Sequence, residues 1–393
     1  MKFVQNPISR IILIVIAVSA TLGIIYGINQ LGGWLWRDTS LVCRKEKLNA
    51  LDVTADGKTL ITGGKEIRVW DIVSGKKLYD STTVGSTVKK MAGLSPATIS
   101  TLNITPDQRL FITAASSLGG IGTQGQHEIQ IWDLVNRQLL RTLKGHRDRV
   151  RFLAVSPDSH TLVSQDDSGV IQVWNLATGQ VRQTLNTERR QRFPIVLSPD
   201  GKVFASMNKQ GTVTFWNITT GQAVGKLQAD PSHTPLAISD NNQTLLIQNA
   251  GDVKQFRDIA TGRELTRLKG SYIEFPFTVD PRGEQVLIQT NTDLKLYNLL
   301  TGVELKTFNM NNFYNPISIT PDGQSFLTID SQDNYVLWNI ATGAKIHQLE
   351  GKASRGEYEI TTAQILVNGD RNGNDLTLWN LTTGERIRKF CNQ

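Results

Sequence analysis

The chain has 393 residues, of which 39% are hydrophobic, 20% are charged and 33 are glycine. This composition is that of an ordinary folded protein, and it excludes a disordered chain, a collagen and a small disulfide-dense protein. Lys plus Arg exceed Asp plus Glu by 42 to 35, a net charge of +7. That excess is too weak to predict a nucleic-acid-binding protein. The sequence has a single bilayer-length apolar run, which excludes a multi-span transporter.

The N-terminal part of the chain contains an uncharged apolar run over residues 11–28. As a helix, with ~1.5 Å per residue, this run is about 27 Å long, close to the ~30 Å hydrocarbon core of a bilayer. Trp34 and Trp36 follow it, as aromatic residues do at a membrane interface. We predict a short tail over 1–10, a transmembrane anchor over 11–28 and a linker over 29–40.

A cleaved signal peptide is the alternative reading of the same run. Lys2 and Arg10 provide the basic start of such a peptide, and Val18-Ser19-Ala20 has the small residues of a cleavage site. The run continues for eight residues beyond Ala20, which favours an uncleaved anchor.

The rest of the chain is built from repeats of one short motif. The motif is an aromatic residue, then Asp or Asn, then Ile or Leu, with Gly five positions after the aromatic residue. The anchor positions, two of them in altered copies of the motif, are Trp70, Trp132, Trp174, Trp216, Arg257, Tyr297, Trp338 and Trp379. Their successive spacings are 62, 42, 42, 41, 40, 41 and 41 residues, which indicates eight structural repeats.

Each repeat has the pattern of four short antiparallel strands. The positions one and three residues before the anchor are apolar in seven of the eight repeats, which predicts a strand, and Lys254 is the exception. Most repeats have a Pro-Asp or Asp-Gly turn upstream of the anchor, and a Thr-Gly turn follows it in several. We predict an all-β protein, a β-propeller of eight four-stranded blades over 41–393, with seven blades as the alternative.

These residues resemble the WD40 family, and the resemblance covers about residues 41–391. The stretch from Thr161 to Asn175 is similar to bacterial WD40 repeats. The family holds each blade with a buried His, Ser or Thr, Trp and Asp network, and His146, Ser164 and Trp174 match three of its members. The Asp position is occupied by Ser168, with Asp167 one residue earlier. The resemblance therefore implies that most blades are held by packing, around Trp70, Trp132, Trp216, Trp338 and Trp379.

The two cysteines lie at the two ends of the predicted ring. When the repeats are aligned on their Gly positions, Cys391 matches Lys144 and Cys43 matches Gly145, and these matched positions are consecutive. We therefore predict a disulfide between Cys43 and Cys391, closing a loop of about 350 residues in place of the strand exchange that usually closes the family's ring. Because disulfides persist outside the reducing cytosol, this predicts an exported propeller and a cytoplasmic N-terminus. A propeller that faces the cytoplasm is the alternative.

The long first spacing marks the second repeat as the place for a binding site. Its excess of 20 residues, 62 minus 42, falls between 80 and 101 and between 115 and 127. In a propeller both connections open on the same face, and binding residues concentrate in loops on a rigid scaffold. The candidate partner-binding residues in these insertions are Lys89, Lys90, Met91, Leu94 and His127. Two tolerated surface insertions are the alternative.

A second signal on that face is a run of arginines before the first strands of repeats three and four. These residues are Arg147, Arg149, Arg189, Arg190 and Arg192. They predict a basic rim that faces an acidic partner or an anionic lipid surface. Solvated loop charges, partly offset by Asp148 and Glu188, are the alternative.

No catalytic, metal-binding or cofactor-binding motif emerges from the sequence. The five histidines lack the paired spacing of a zinc site, and the acidic stretch from Asp370 to Asp375 lacks the Gly and Glu of a calcium loop. We predict a non-catalytic, membrane-anchored platform that binds protein and no nucleic acid, with a membrane complex as one kind of partner. An exported enzyme or small-ligand sensor that uses the central channel is the alternative.

Overall fold

A computed structural model describes residues 48–81, 98–116, 127–186, 195–248, 254–268, 277–280, 282–290, 293–309, 315–350, 357–361, 364–369 and 376–390. The described residues form eight sheets of four strands, named blades 1 to 8 in chain order. The strands of blades 1 to 4 are β1 (Ala50–Val53), β2 (Thr59–Gly63), β3 (Ile67–Asp71), β4 (Lys77–Asp80), β5 (Thr98–Ile104), β6 (Leu110–Ser116), β7 (His127–Asp133), β8 (Leu139–Leu143), β9 (Val150–Val155), β10 (Thr161–Asp166), β11 (Val170–Asn175), β12 (Val181–Asn186), β13 (Val196–Leu197), β14 (Val203–Met207), β15 (Thr212–Asn217) and β16 (Ala223–Gln228). The strands of blades 5 to 8 are β17 (Thr234–Ile238), β18 (Thr244–Gln248), β19 (Lys254–Asp258), β20 (Glu264–Leu268), β21 (Phe277–Val279), β22 (Gln285–Gln289), β23 (Asp293–Asn298), β24 (Glu304–Asn309), β25 (Asn315–Ile319), β26 (Ser325–Ile329), β27 (Tyr335–Asn339), β28 (Lys345–Gln348), β29 (Glu357–Ile360), β30 (Ile365–Gly369), β31 (Leu376–Asn380) and β32 (Arg386–Phe390).

Each blade is an antiparallel meander of four consecutive strands. First strands of neighbouring blades pack against each other, as β1 does with β5 and β5 with β9, so they surround the central axis. The fourth strands are the outer edges. β1 also packs against β29, which joins blade 8 to blade 1. The prediction of eight blades is therefore confirmed, and the described strands close the ring without exchanging one between its ends.

The predicted turns form because short polar side chains and left-handed residues match the tight chain reversals. In the first turn of blade 1, Asp56 Oδ1 accepts a 2.6 Å hydrogen bond from Thr54 Oγ1 and a 3.0 Å bond from Lys58 N. Gly57 has a φ of 68°, in the left-handed region that favours glycine. In the last hairpin of blade 2, Arg137 adopts the same conformation with a φ of 60° in place of glycine.

The anchor tryptophans pack between blades, and most of them also make one polar contact. Trp132 stacks on Phe111 with 5.7 Å between ring centroids. Five of the tryptophans donate a hydrogen bond from Nε1 to a Ser or Thr hydroxyl on the second strand of their own blade. These pairs are Trp70–Thr62, Trp132–Thr113, Trp174–Ser164, Trp216–Ser206 and Trp338–Thr328. In these five blades, one hydrogen bond of the predicted network therefore adds to the packing of the tryptophan. In blade 8, Trp379 donates to the carbonyl of Glu350 instead, at 2.7 Å.

The junction between blades 8 and 1, here called the seam, is held by apolar packing and by one arginine. Leu48 belongs to a buried cluster that also contains Trp70 of blade 1 and Leu376 of blade 8. At the rim, Arg388 donates to the carbonyls of Val73 and Ser74, at 3.0 and 2.8 Å. These contacts join two chain segments that are more than 300 residues apart.

The described residues contain no helix long and apolar enough to cross a membrane. The predicted anchor over 11–28 and both cysteines, Cys43 and Cys391, lie outside the described residues.

Candidate functional site

The antiparallel topology gives the propeller two different faces. One face carries the segments that lead into the first strands, such as 144–149, and the hairpins between second and third strands, such as 167–169. We call it the loop face. The opposite face, the turn face, carries the first turns, such as 54–58, and the last hairpins, such as 72–76. The strand ends that flank both predicted insertions lie on the loop face, at β5, β6 and β7.

Blade 3 contains a complete buried polar network beneath the loop face. His146 Nδ1 lies 2.9 Å from Asp166 Oδ2, and His146 Nε2 lies 2.6 Å from Ser164 Oγ. Trp174 Nε1 donates to the same hydroxyl at 2.8 Å. The side chains of His146 and Asp166 are 1% and 0% exposed. These contacts bring His146, Ser164 and Trp174 together in the arrangement that the resemblance implies.

The assignment of the network's Asp position to Ser168 was wrong, because Asp166 occupies it. Asp166 is the last residue of β10, where the pairing with β9 shifts at a bulge. Its Oδ1 accepts hydrogen bonds from Ser168 Oγ, at 2.5 Å, and from Ser168 N and Val170 N, both at 3.0 Å. One carboxylate therefore holds His146 and caps the hairpin. Burial acts to raise the pKa of Asp166, but the hydrogen bonds outweigh it and hold that pKa below its usual value.

Three arginines surround this hairpin on the loop face. Arg147 is exposed and Arg149 is half-buried. Arg151 Nε lies 2.9 and 3.0 Å from the two carboxylate oxygens of Asp167. The buried Nε of Arg149 has no hydrogen-bond partner among the described residues. Burial and the nearby Arg151 lower the pKa of Arg149, which still leaves its guanidinium charged at neutral pH.

Of the remaining predicted partner-binding residues, the structure describes only His127. His127 begins β7 and is half-buried, and its buried Nδ1 has no hydrogen-bond partner among the described residues. The predicted residues that lie outside the described part of the chain are Lys89, Lys90, Met91, Leu94, Arg189, Arg190 and Arg192. The described part of the basic rim is therefore the blade 3 segment with Arg147 and Arg149.

Two described residues near this site were not predicted from the sequence. Arg151 lies within β9 and was not distinguished from other strand residues. Asp166 had a usable signal, because Asn208 and Asp330 stand at the same place in blades 4 and 7 and cap their hairpins in the same way. Within the described part of the chain, no three His, Cys, Asp or Glu side chains come together as ligands for a metal ion.

Comparison with known proteins agrees with the fold and with blade 3. The family profile "WD40: WD domain, G-beta repeat" matches residues 137–175, the segment that contains the His146 network. The protein groucho of Drosophila melanogaster is 26% identical over 121 residues, which span 30% of this chain and 14% of groucho. The chain thus matches only a small part of that relative's length.

Two solved structures share the architecture. The C-terminal WD40 domain of Sif2 superposes with a TM-score of 0.61 at 14% identity, covering 86% of this chain and 94% of that domain. The computationally designed Ika8 protein gives a TM-score of 0.57 at 21% identity, covering 77% of this chain and 89% of Ika8. At these identities the two structures establish the fold alone. The chain is therefore an eight-bladed β-propeller with four antiparallel strands in each blade, and its residues 137–175 match a WD40 repeat.

Proposed function

We propose that this propeller is a non-catalytic protein-binding platform whose loop face at blade 3 binds an acidic segment of a partner. The observation that carries the proposal is the guanidinium of Arg149, half-buried with an Nε that has no partner among the described residues. Arg147 lies two residues away and is exposed. An arginine in this position offers a fork of donors that matches a carboxylate in geometry and charge.

The supporting argument is that the site is already rigid before it binds. The His146 network fixes the segment before β9, and the Asp166 cap fixes the neighbouring hairpin. Arg149 N also donates to Asp148 Oδ1 at 2.8 Å, which orders the backbone at the site. Because the guanidinium is partly desolvated, a partner's carboxylate replaces less water there than at a fully exposed arginine. A partner therefore gains a charge-assisted hydrogen bond at low ordering cost.

Binding of a fluorescein-labelled oligoglutamate peptide to the full chain tests this site. We expect Arg147→Gln with Arg149→Gln to weaken binding by about 10-fold or more, because a hydrogen bond to a charged group contributes ~1.5–3 kcal/mol. The control is Arg109→Gln on the turn face, where the arginine side chain is 84% exposed, and we expect less than a twofold change. Fluorescence anisotropy provides the measurement, with an oligoglutamine peptide as the neutral ligand.

Two results would contradict the proposal. The first is an equal loss of binding in the loop-face variant and in Arg109→Gln, which would indicate attraction to net charge alone. The second is tight binding of vesicles with anionic lipid in the absence of peptide binding, which would move the basic rim to the membrane surface.

The alternative of a channel enzyme or small-ligand sensor requires polar residues around the whole axis. The first-strand positions equivalent to Asp52 lie two residues before the residue that opens the first turn. They are polar in blades 2, 6, 7 and 8, at Asn103, Thr278, Ser318 and Glu359, and apolar in blades 3 to 5, at Ala154, Val196 and Ala237. Polar side chains at this level therefore do not surround the whole axis. This composition supports the binding platform over the channel site.

We further propose that residues 11–28 anchor the chain in a membrane, that Cys43 and Cys391 form a disulfide, and that the propeller lies on the exported side. The arrangement of the seam supports the disulfide. Leu48 packs in one cluster with Leu376, and the Cα partner of Leu376 on β32 is Phe390, the residue before Cys391. The described residues nearest the two cysteines thus lie at the same end of the seam.

The thiol state of Cys43 and Cys391 in native membranes tests the disulfide and the location together. We expect a mass-shifting maleimide to modify both cysteines only after reduction, because an exported disulfide persists in an oxidising compartment. The single variants Cys43→Ser and Cys391→Ser are the controls, and each should expose the other thiol without reduction. Modification of both cysteines before reduction would contradict the bridge and would indicate a propeller that faces the cytoplasm.

A further inference from the structure

Two carboxyl groups meet at the seam, on the first strands of the last and the first blade. Asp52 lies on β1 and is 3% exposed, and Glu359 lies on β29 with its Oε2 buried. β1 packs directly against β29, and the charge of Asp52 acts on Glu359 across this contact. Two ionised carboxylates repel each other in a buried site, which favours a proton on one of the two groups.

The backbone donors around the pair decide which group is ionised. Asp52 Oδ1 accepts a 2.7 Å hydrogen bond from Val53 N, and its Oδ2 accepts a 2.6 Å bond from Ile104 N on β5 of blade 2. Both oxygens of Asp52 therefore act as acceptors, as in a carboxylate. Val53 N also acts on the Glu359 carboxyl and favours its ionised form, but Glu359 Oε2 has no partner among the described residues. A proton on Glu359 leaves that group neutral, which suits a buried oxygen without a donor.

We propose that Glu359 carries a proton, donates it in a hydrogen bond to ionised Asp52, and so latches the last blade to the first. The latch spans three blades. Glu359 of blade 8 contacts Asp52 of blade 1, and Asp52 in turn accepts from the backbone of Ile104 in blade 2. The first strand of each blade is a sheet edge, and its unpaired backbone N–H groups need acceptors. Asp52 supplies such an acceptor for Ile104 N.

The described strands around the pair contain no cation that could neutralise a second negative charge. The strands that carry or border the pair are β1, β5 and β29, and their ladder partners are β2, β6 and β30. These six strands contain no Lys, Arg or His, and their ionisable residues are Asp52, Glu357, Tyr358 and Glu359. The hydroxyl of Tyr358 donates to the carbonyl of Ile317 at 2.8 Å. Loss of the shared proton would therefore place two negative charges between strands that carry no cation of their own.

Proton binding at the pair makes the seam depend on pH in a defined direction. Burial raises the pKa of Asp52 to about 6, and burial together with the charge of Asp52 raises the pKa of Glu359 well above its usual value. In the folded chain the pair thus holds more protons than in the unfolded chain at and above pH 4. Its contribution to stability is full at acidic pH and is lost as the pH rises through these raised values. The carboxyls whose pKa is lowered, such as Asp166, titrate below this range.

The test compares Glu359→Gln with Asp52→Asn in the purified full chain, by thermal unfolding from pH 6 to pH 9.5. Gln imitates protonated Glu and donates to Asp52 at every pH. We expect Glu359→Gln to match the wild type at pH 6 and to unfold a few degrees higher at pH 9.5. Asn at position 52 would face a backbone N–H with its own NH₂ group, so we expect Asp52→Asn to unfold at a lower temperature throughout. Burial lowers the pKa of His233, which also titrates in the folded chain. Each variant is compared with the wild type at the same pH, so the contribution of His233 to the unfolding temperature is the same in both.

A second, local measurement uses hydrogen exchange at the seam. Between pH 6 and pH 9.5 we expect the amides of β1 and β29 in the wild type to lose protection relative to those of β15 in blade 4, after correction for intrinsic exchange. Glu359→Gln should prevent this loss. An unfolding-temperature difference between Glu359→Gln and the wild type that is the same at pH 6 and pH 9.5 would overturn the latch. Equal pH dependence of protection at β15 and at the seam would also overturn it.

Discussion

Replacing Asp166 with alanine is expected to lower the local stability of blade 3 by about 3–5 kcal/mol. The substitution removes an acceptor that serves His146, Ser168 and the backbone N–H of Val170. It leaves the buried His146 Nδ1 and the hairpin donors without their partner, and each unsatisfied buried group costs ~1–3 kcal/mol. Native-state hydrogen exchange of the β10 and β11 amides measures this loss as a free energy of local opening.

Asp167→Ala is the matched control for that measurement. Asp167 is the adjacent acid, and its pair with Arg151 is partly exposed, at 26% and 35% for the two side chains. Removing such a pair is expected to cost about 1 kcal/mol or less. A loss at Asp167→Ala as large as that at Asp166→Ala would contradict the assignment of Asp166 to the network.

Gly211→Ala is expected to destabilise blade 4 by about 2–5 kcal/mol, because two effects add at this glycine. Its φ of +83° is left-handed, which costs a residue with a Cβ roughly 1–2 kcal/mol. The added Cβ would also lie 2.3 Å from the carbonyl oxygen of Ala229 and 2.8 Å from the backbone of Asp230 and Pro231. Relieving such overlap by backbone shifts costs about 1–3 kcal/mol more. Hydrogen exchange of the β14 and β15 amides measures the effect.

Gly262→Ala separates these two contributions. Gly262 has a similar φ of +70°, and an added Cβ there would meet no heavy atom within 4 Å. We expect it to cost only the conformational part, roughly 1–2 kcal/mol. Equal losses in the two variants would show that the contact of Gly211 with the Ala229–Pro231 backbone contributes nothing.

The number of blades was predictable because it depends on spacing alone. A period of about 41 residues survives the loss of individual motif residues, such as the aromatic anchor at Arg257 or the turn glycine at Arg137. Arg137 shows the physical reason. It takes the left-handed φ of 60° that glycine takes in other blades, since the surrounding strands fix the turn.

Lys254 shows where the same pattern was less informative. It interrupts the apolar alternation, yet it begins β19 and is 2% exposed. Its Nζ lies 5.8 Å from the ring centroid of Phe277. A cation above an aromatic ring suits a position that usually carries an apolar side chain, because the lysine's methylene groups pack as an aliphatic chain does.

The candidate site was predictable only in outline. Arg147 and Arg149 followed from a charge pattern. That Arg149 Nε is buried and has no partner among the described residues depends on the fold, which no local pattern encodes. The network's Asp position was assigned to Ser168, two residues after Asp166. A bulge in β10 changes the number of residues between the strand and its hairpin, and the sequence pattern does not show it. The pair of Asp52 and Glu359 joins residues about 300 positions apart, and each alone is an ordinary strand acid.

The closure of the ring by packing, without an exchanged strand, sets an order of events in folding. Most blade interfaces join segments close in the chain, as the Arg141 contact with Leu176 does over 35 residues, and closing such a loop costs about 3 kcal/mol of chain entropy. The contact of Arg388 with Ser74 spans 314 residues, for which the same relation gives about 5 kcal/mol. The eighth interface is therefore expected to form last. Until it does, β1 and β29 belong to an open arc of stacked blades whose two end faces expose apolar side chains, and that arc is the species most prone to associate with a second copy of the chain.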